Sequence, residues 1–153
     1  MRMVLSCIVI VLMSFTAMAE NQSAENADLH AAIKAFDHAY ANNDVEDYFG
    51  YYADGATVYV GGDARVDMGA YHAMWTGLME AGGGVELNEM SDIQVQVVPG
   101  GDVAVVTSFI NNRTRSADGK TATSKAFETD IWQKIDGQWK IISLHYSAIA
   151  AQE

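Results

Sequence analysis

The chain has 153 residues, with 20 acidic and nine basic side chains and a formal net charge of −11. Nucleic acids and anionic membranes attract basic surfaces, so this acidic balance argues against both as partners. A single cysteine, Cys7, excludes an intramolecular disulfide. Folding must therefore rely on an apolar core, which a chain of this length can build as one domain.

The first 19 residues resemble a secretory signal peptide. Arg2 precedes an apolar stretch over 4–15, and the Ala-Met-Ala of residues 17–19 matches a small-x-small cleavage site. A membrane anchor is the alternative, but the apolar run is short for a span of about 20 residues. We expect cleavage before Glu20, a disordered leader over 20–27, and a periplasmic or secreted protein with no membrane contact after processing.

The first half of the mature chain has helical spacing. A first helix is predicted over about residues 28–41, where apolar residues lie three or four positions apart. Asp44 suits the N-cap of a short second helix. A third helix is predicted over about 67–80 and ends at the three glycines of 82–84.

From about residue 93 the apolar period changes to two, as in β-strands. Strands are predicted over 93–97, 103–113, 123–134 and 139–147, with a short earlier one over 57–60. Helices therefore precede most of the strands, which is typical of an α+β domain whose helices cover one face of a curved, mostly antiparallel sheet. We expect one such domain over 28–150.

The last two strands form the clearest pattern in the chain. Asp136-Gly137 between alternating apolar runs predicts a hairpin with a two-residue turn. The register then pairs Trp132 with Ile141, Asp130 with Ser143, and Glu128 with His145. Directly opposed side chains lie about 5 Å apart at Cβ, so Glu128 would reach the imidazole of His145. A slip of one residue is expected to move the whole set to the other face together.

The preceding hairpin closes at residues 116–119, and its register is predicted from Arg115 opposite Lys120. This register places Thr107, Phe109 and Asn111 on the same face as Glu128. The opposite face is also apolar. Since three helices can cover only one face, the other face is predicted to form a subunit interface in a homodimer.

These patterns define a candidate catalytic group and a candidate ligand-binding wall. The catalytic candidates are Glu128, Asp130 and His145, because carboxylates on an apolar wall beside an imidazole suit general acid–base chemistry. A buried structural hydrogen bond between Glu128 and His145 is the alternative. The predicted wall comprises Tyr48, His72, Trp75, Thr107, Phe109, Asn111, Trp132 and Ser143. His72 either faces the pocket or packs on the core.

Known metal and cofactor motifs do not occur in the sequence. There is no close pair of histidines or cysteines with metal-ligand spacing, and no phosphate loop, dinucleotide fingerprint or Ser-His-Asp motif. We therefore expect chemistry without a cofactor. The abundant tyrosine and tryptophan predict a small hydrophobic or aromatic ligand.

The segment DIWQKIDGQWKIISLHYS, residues 130–147, resembles the last hairpin of the nuclear transport factor 2-like superfamily. It is most similar to the calcium/calmodulin-dependent kinase II association domain and to SnoaL-like and ketosteroid isomerase-like proteins. The segment GAYHAMW, residues 69–75, resembles the third helix of that association domain. The resemblance implies a cone-shaped roll, with a curved sheet wrapped around a long N-terminal helix, a pocket between them and dimers through the sheet.

The resemblance does not determine the function, because one fold supports many activities. The association domain carries pocket arginines where this chain has Phe109 and Asp130, and the ketosteroid isomerase catalytic trio has no residue-by-residue match. The leading hypothesis is an exported dimeric small-molecule-binding domain with isomerase, lyase or hydratase chemistry. The alternative is a non-catalytic ligand-binding or oligomerisation module.

Overall fold

The computed structural model describes residues 27–60 and 65–150. Within them, α1 covers 27–41, α2 is Val45–Gly50 and α3 is Met68–Glu80. The strands are β1 Tyr52–Val60, β2 Gly84–Val97, β3 Val103–Arg115, β4 Thr121–Ile135 and β5 Gln138–Ala148. The predicted signal peptide, and the predicted leader except for residue 27, lie outside the described residues. No helix within the described ranges is long and apolar enough to cross a membrane.

Aspartates begin the second and third helices. The Asp44 side chain accepts a hydrogen bond from the Asp47 backbone N–H at 3.1 Å, and Asp67 accepts one from the Ala70 N–H at 2.8 Å. Each carboxylate satisfies a backbone donor that the first helical turn leaves free. The predicted N-cap at Asp44 and the third helix are therefore confirmed.

The five strands form one curved sheet in the order β1-β5-β4-β3-β2. β1 runs parallel to β5, and the other neighbouring strands are antiparallel. The predicted α+β class with a mostly antiparallel sheet is confirmed. β2 begins at Gly84, nine residues before the predicted start, because polar side chains over 86–91 concealed the first half of that strand.

The β4–β5 turn forms as predicted, with positive φ at Asp136 (50°) and Gly137 (80°). Trp132 pairs with Ile141, as the register required. A β-bulge at Ile142 then shifts the pairing, so that Glu128 lies opposite Tyr146 and His145 lies opposite Thr129. The predicted pairings of Glu128 with His145 and of Asp130 with Ser143 are wrong.

The β3–β4 register also differs from the prediction by one residue. Arg115 pairs with Thr121, and Ser116 N–H donates to Lys120 O at 2.8 Å around a three-residue loop. Gly119 takes the left-handed conformation, φ 84°, that this loop requires. As a result Ser108 faces Glu128, while Thr107, Phe109 and Asn111 lie on the other face, contrary to the prediction.

The core lies between α1 and the inner, concave face of the sheet. Phe36 of α1 packs against Tyr48 at 5.0 Å, Tyr52 at 5.9 Å and Trp132 at 5.8 Å between ring centroids. Trp132 and Ile141 are fully buried beneath it. Aromatic packing therefore holds α1 above the strands that carry the acidic side chains.

The α1–α2 turn is fixed to the edge of the sheet by Asn43. Its side chain accepts a hydrogen bond from Val85 N–H at 2.7 Å and donates one to Val85 O at 3.0 Å. Asn43 has φ 61°, a conformation that asparagine tolerates better than most residues. This clamp aligns α1 with β2.

Candidate functional site

A cavity of about 230 Å³ opens between the inner face of the sheet and the helices. It exceeds the cavity of about 150 Å³ that accommodates one benzene molecule in another protein. Its aromatic lining consists of Phe36, Tyr40, Tyr48, Tyr71, Trp75 and Tyr146, and its polar lining of Asp37, Asn88, Asn112, Thr114, Ser124 and Glu128. Met74, which is 55% exposed, marks the mouth.

Glu128 provides a buried carboxyl group on the β4 wall of the cavity. The residue is only 9% exposed, and no group of the described residues donates a hydrogen bond to its carboxylate. Burial raises its pKa to about 7, and the nearby charge of Asp37 adds to the rise. Near neutral pH both protonation states are therefore populated, as a general acid or base requires.

Asp130 lies behind Glu128 on the same face of β4. It is 3% exposed, and its Oδ1 has no hydrogen-bond partner among the described residues. Burial, together with the charge of Glu128, raises its pKa well above the usual range. Asp130 does not line the cavity, so it lies beneath the site rather than within it.

Asp37 faces the cavity from α1 and accepts a hydrogen bond from Asn88, which Asn112 supports in turn. Asn88 Nδ2 donates to Asp37 Oδ1 at 2.7 Å, and Asn112 Nδ2 donates to Asn88 Oδ1 at 3.0 Å. Asn112 also donates to Tyr40 Oη at 3.4 Å. Partial burial raises the pKa of Asp37, and the hydrogen bond from Asn88 opposes that rise. This chain fixes the second carboxyl group of the cavity.

Tyrosine hydroxyls form the remaining polar surface. Tyr48 Oη lies 2.8 Å from Tyr52 Oη and 3.3 Å from Tyr71 Oη. Burial raises the pKa of all three hydroxyls above the ordinary value, so they remain protonated. On the opposite wall, Tyr146 Oη lies 2.9 Å from Ser124 Oγ. The tyrosines therefore supply neutral hydrogen-bond donors to the cavity.

Some of the predicted site residues come together at this cavity. Glu128, Tyr48 and Trp75 line it. Trp132 lies in the core against Phe36, with no exposed surface. The predicted catalytic and binding roles of these residues remain predictions.

Other predicted residues lie elsewhere. Thr107, Phe109, Asn111, Ser143 and His145 are on the outer face of the sheet, because the Ile142 bulge and the three-residue loop each shift the pairing by one residue. The prediction that they share a wall with Glu128 is therefore wrong.

His72 lies outside the cavity lining. Its Nε2 is 3.7 Å from Glu46 Oε1, its ring contacts Phe49, and its side chain is 39% exposed. Of the two predicted placements, the one that faces the cavity is not observed. The described residues also contain no group of three His, Cys, Asp or Glu side chains arranged to hold a metal ion.

The cavity residues that the sequence analysis missed include Asp37, Asn88, Asn112 and Tyr146. Asp37 follows Phe36 directly on a predicted helix, which was a usable signal for a carboxylate beside the core. Asn88 lies in the half of β2 that the pattern did not reveal. Asn112 and Tyr146 were missed because the predicted strand registers, wrong by one residue, placed them on the face away from Glu128.

A family model described as SnoaL-like domain matches residues 29–152. No curated protein matches the chain in sequence. The resemblance that residues 130–147 indicate is thus confirmed at the level of the family.

Solved structures share the fold. A candidate calcium/calmodulin-dependent kinase II association domain from Exiguobacterium sibiricum superposes with a TM-score of 0.72 at 9% identity, covering 84% of this chain and 96% of that one. A candidate scytalone dehydratase from Novosphingobium aromaticivorans gives 0.71 at 16%, covering 86% and 89%. A ketosteroid isomerase-like protein from Erwinia carotovora atroseptica gives 0.65 at 21%, covering 82% and 96%.

Replacing Glu128 by Gln should make stability less dependent on pH. Between pH 4.5 and about 7 the folded wild type holds a proton on Glu128 that the unfolded chain has lost. The wild-type free energy of unfolding therefore falls as pH rises through that window. We expect Glu128→Gln to be more stable than wild type at pH 8 by about 3 kcal/mol, and equally stable below about pH 4.5, in urea unfolding.

Glu80→Gln is the matched control, since Glu80 is exposed at the end of α3. This variant should unfold with the wild type at every pH. A stability difference between wild type and Glu128→Gln that is constant from pH 4 to pH 8 would contradict the assigned environment of Glu128.

Proposed function

The chain belongs to the SnoaL-like domain family, and on that premise we propose that it binds a small molecule in the cavity and transfers a proton there without a cofactor. The observation that carries the proposal is the carboxyl group of Glu128, which is buried, free of protein hydrogen bonds among the described residues and open to the cavity. A group in that state costs stability, and such groups are concentrated at functional sites.

The proposed chemistry uses Glu128 as the proton acceptor. Its ionised form takes a proton from a carbon or hydroxyl group of the ligand, and its protonated form returns the proton elsewhere on the same ligand. Tyr48 and Tyr71 remain protonated and can donate hydrogen bonds to a ligand oxygen as it gains negative charge. Isomerisation follows this scheme directly. In elimination of water the returned proton goes to the departing hydroxyl oxygen, so that water leaves, and hydration is the reverse, with the proton taken from a water molecule whose oxygen bonds to the ligand.

The structural neighbours support this class of chemistry. Two of them are named as a candidate scytalone dehydratase and a ketosteroid isomerase-like protein. Dehydration and isomerisation both depend on a positioned proton acceptor, which Glu128 would supply here.

A ligand bound in the cavity should be displaced by a bulky wall residue. Met90 lines the cavity from β2, whereas the adjacent Ser91 is exposed. We expect native mass spectrometry of the protein from its own host to show a bound small molecule in the wild type and in Ser91→Trp but not in Met90→Trp. Glu128→Gln should lose the turnover of that molecule. An empty wild-type cavity, or unchanged turnover in Glu128→Gln, would reject the proposal.

We further propose that the outer face of the sheet forms a homodimer interface. Phe127 is 60% exposed and packs against Phe109 with ring centroids 5.9 Å apart. Tyr59 of β1, which pairs with His145 on the same outer face, is 39% exposed. Large apolar side chains gathered on one uncovered face are typical of subunit contacts, and a two-fold dimer buries the face with one self-complementary contact.

Phe127→Asp should convert a dimer to a monomer, because it buries a carboxylate in an apolar contact. Ala73→Asp is the control, since Ala73 is exposed on α3, away from the sheet. Sedimentation velocity should give a dimer for the wild type and Ala73→Asp and a monomer for Phe127→Asp. Monomeric wild type at micromolar concentration would refute the interface.

The exposed face also favours a second candidate function, a non-catalytic module that assembles subunits through that face. In that case Phe127→Asp abolishes the assembly, while Met90→Trp and Glu128→Gln have no effect beyond stability. The two candidate functions therefore differ in which face of the sheet carries the sensitive residues.

Export to the periplasm or the medium is proposed from residues 1–19 alone. We expect amino-terminal sequencing of the mature protein from its own host to begin at Glu20. A chain that retains residues 2–19 on a membrane fraction would instead indicate the anchor.

A further inference from the structure

The described residues that line the cavity include two carboxyl groups and no cationic side chain to balance them. Glu128 and Asp37 both line it, and the charge of Asp37 raises the pKa of Glu128. None of the described residues that line the cavity is Lys, Arg or His. Buried carboxylates are normally paired with a cation or satisfied by several hydrogen bonds. Glu128 has neither among the described residues, although it is more than nine-tenths buried.

The aromatic walls suit a positive charge. Tyr40, Tyr48, Tyr71, Trp75 and Tyr146 line the same cavity as the two acids. Aromatic faces attract ammonium groups, and this attraction strengthens when both partners are removed from water. The protonated hydroxyls carry no charge that would oppose the ligand, and their oxygens can accept hydrogen bonds from an ammonium group.

We infer that the ligand is a small organic cation, an amine in its ammonium form with an aromatic or aliphatic body, whose charge lies between Glu128 and Asp37. This inference rests on the proposed function, because it names the ligand class of the same cavity. An anionic ligand would meet two carboxyl groups without a counter-charge. A neutral ligand would leave the repulsion between Glu128 and Asp37 in place.

Binding of such a cation is linked to proton release. An ammonium group beside Glu128 favours the carboxylate form and cancels the repulsion from Asp37, so the Glu128 pKa falls below its free value of about 7. The other titratable groups around Glu128 are Tyr40 from α1, Tyr52 from β1, Tyr71 from α3, Tyr146 from β5 and Asp130 from its own strand.

Tyr40, Tyr52 and Tyr71 do not ionise in the relevant range, because burial raises the pKa of each hydroxyl above its ordinary value of about 10. Burial and the charge of Glu128 also raise the pKa of Asp130, so only protons released by wild type and not by Glu128→Gln are assigned to Glu128. His38 lies near Asp37, and its charge lowers the pKa of that carboxyl group. Proton release should therefore be measurable at about pH 6.5 and absent at about pH 8.5, where Glu128 is already ionised.

The test uses three probes of similar shape and different charge: 2-phenylethylammonium, 2-phenylethanol and phenylacetate. Isothermal titration of the wild-type protein should show the ammonium probe binding about tenfold or more tightly than the alcohol, with no binding of the acid. Titration at pH 6.5 in buffers of different ionisation enthalpy should show protons released with the ammonium probe. Asp37→Asn and Glu128→Gln keep the side-chain size and should each remove the preference, whereas Glu80→Gln should retain it.

The outcomes separate this inference from the proposed function. Equal or tighter binding of the alcohol or the acid by wild type would overturn the cation assignment and leave ligand binding in the cavity intact. Ammonium binding that persists unchanged in both Asp37→Asn and Glu128→Gln would also overturn it. Failure of all three probes would overturn the cation assignment, while native mass spectrometry with Met90→Trp decides whether the cavity holds a ligand at all.

Discussion

The packing of Phe36 against the aromatic rings of the inner sheet face is the contact on which the site depends. It fixes α1 above Trp132 and thereby places the next residue of the helix, Asp37, across the cavity from Glu128. Ring packing supplies a large buried area with defined geometry, so the helix has one preferred position. The polar chain through Asn88 and Asn112 refines that position rather than creating it, because each of its hydrogen bonds contributes only modestly.

The elements of the fold were predictable because they follow local rules. The period of the apolar residues located three helices, the aspartate caps started two of them, and Asp136-Gly137 specified the last turn. Pairing between strands was less predictable. A slip of one residue was expected to carry all members of the site together, but a bulge shifts only one strand, so Glu128 stayed inside while His145 moved outside.

The part of the site that sequence reasoning found and the part that it missed differ in physical origin. Glu128 was found because it lies on a strand whose alternation is unmistakable. Asp37 was missed because its importance arises from a contact across the fold, between a helix and a strand separated by more than 90 positions in the chain. Its effect on the Glu128 pKa is electrostatic and appears only after both groups are enclosed together. No local pattern encodes such a pair.

The bulge in β5 also decides which side chains face the cavity. The extra residue, Ile142, determines on which face of the sheet each later side chain of β5 lies. Deletion of Ile142 would place the imidazole of His145 on the inner face beside Glu128 and the phenol of Tyr146 on the outer face. Two proteins that differ only in the presence of this extra residue would share the fold and yet present different reactive side chains to a ligand in the cavity.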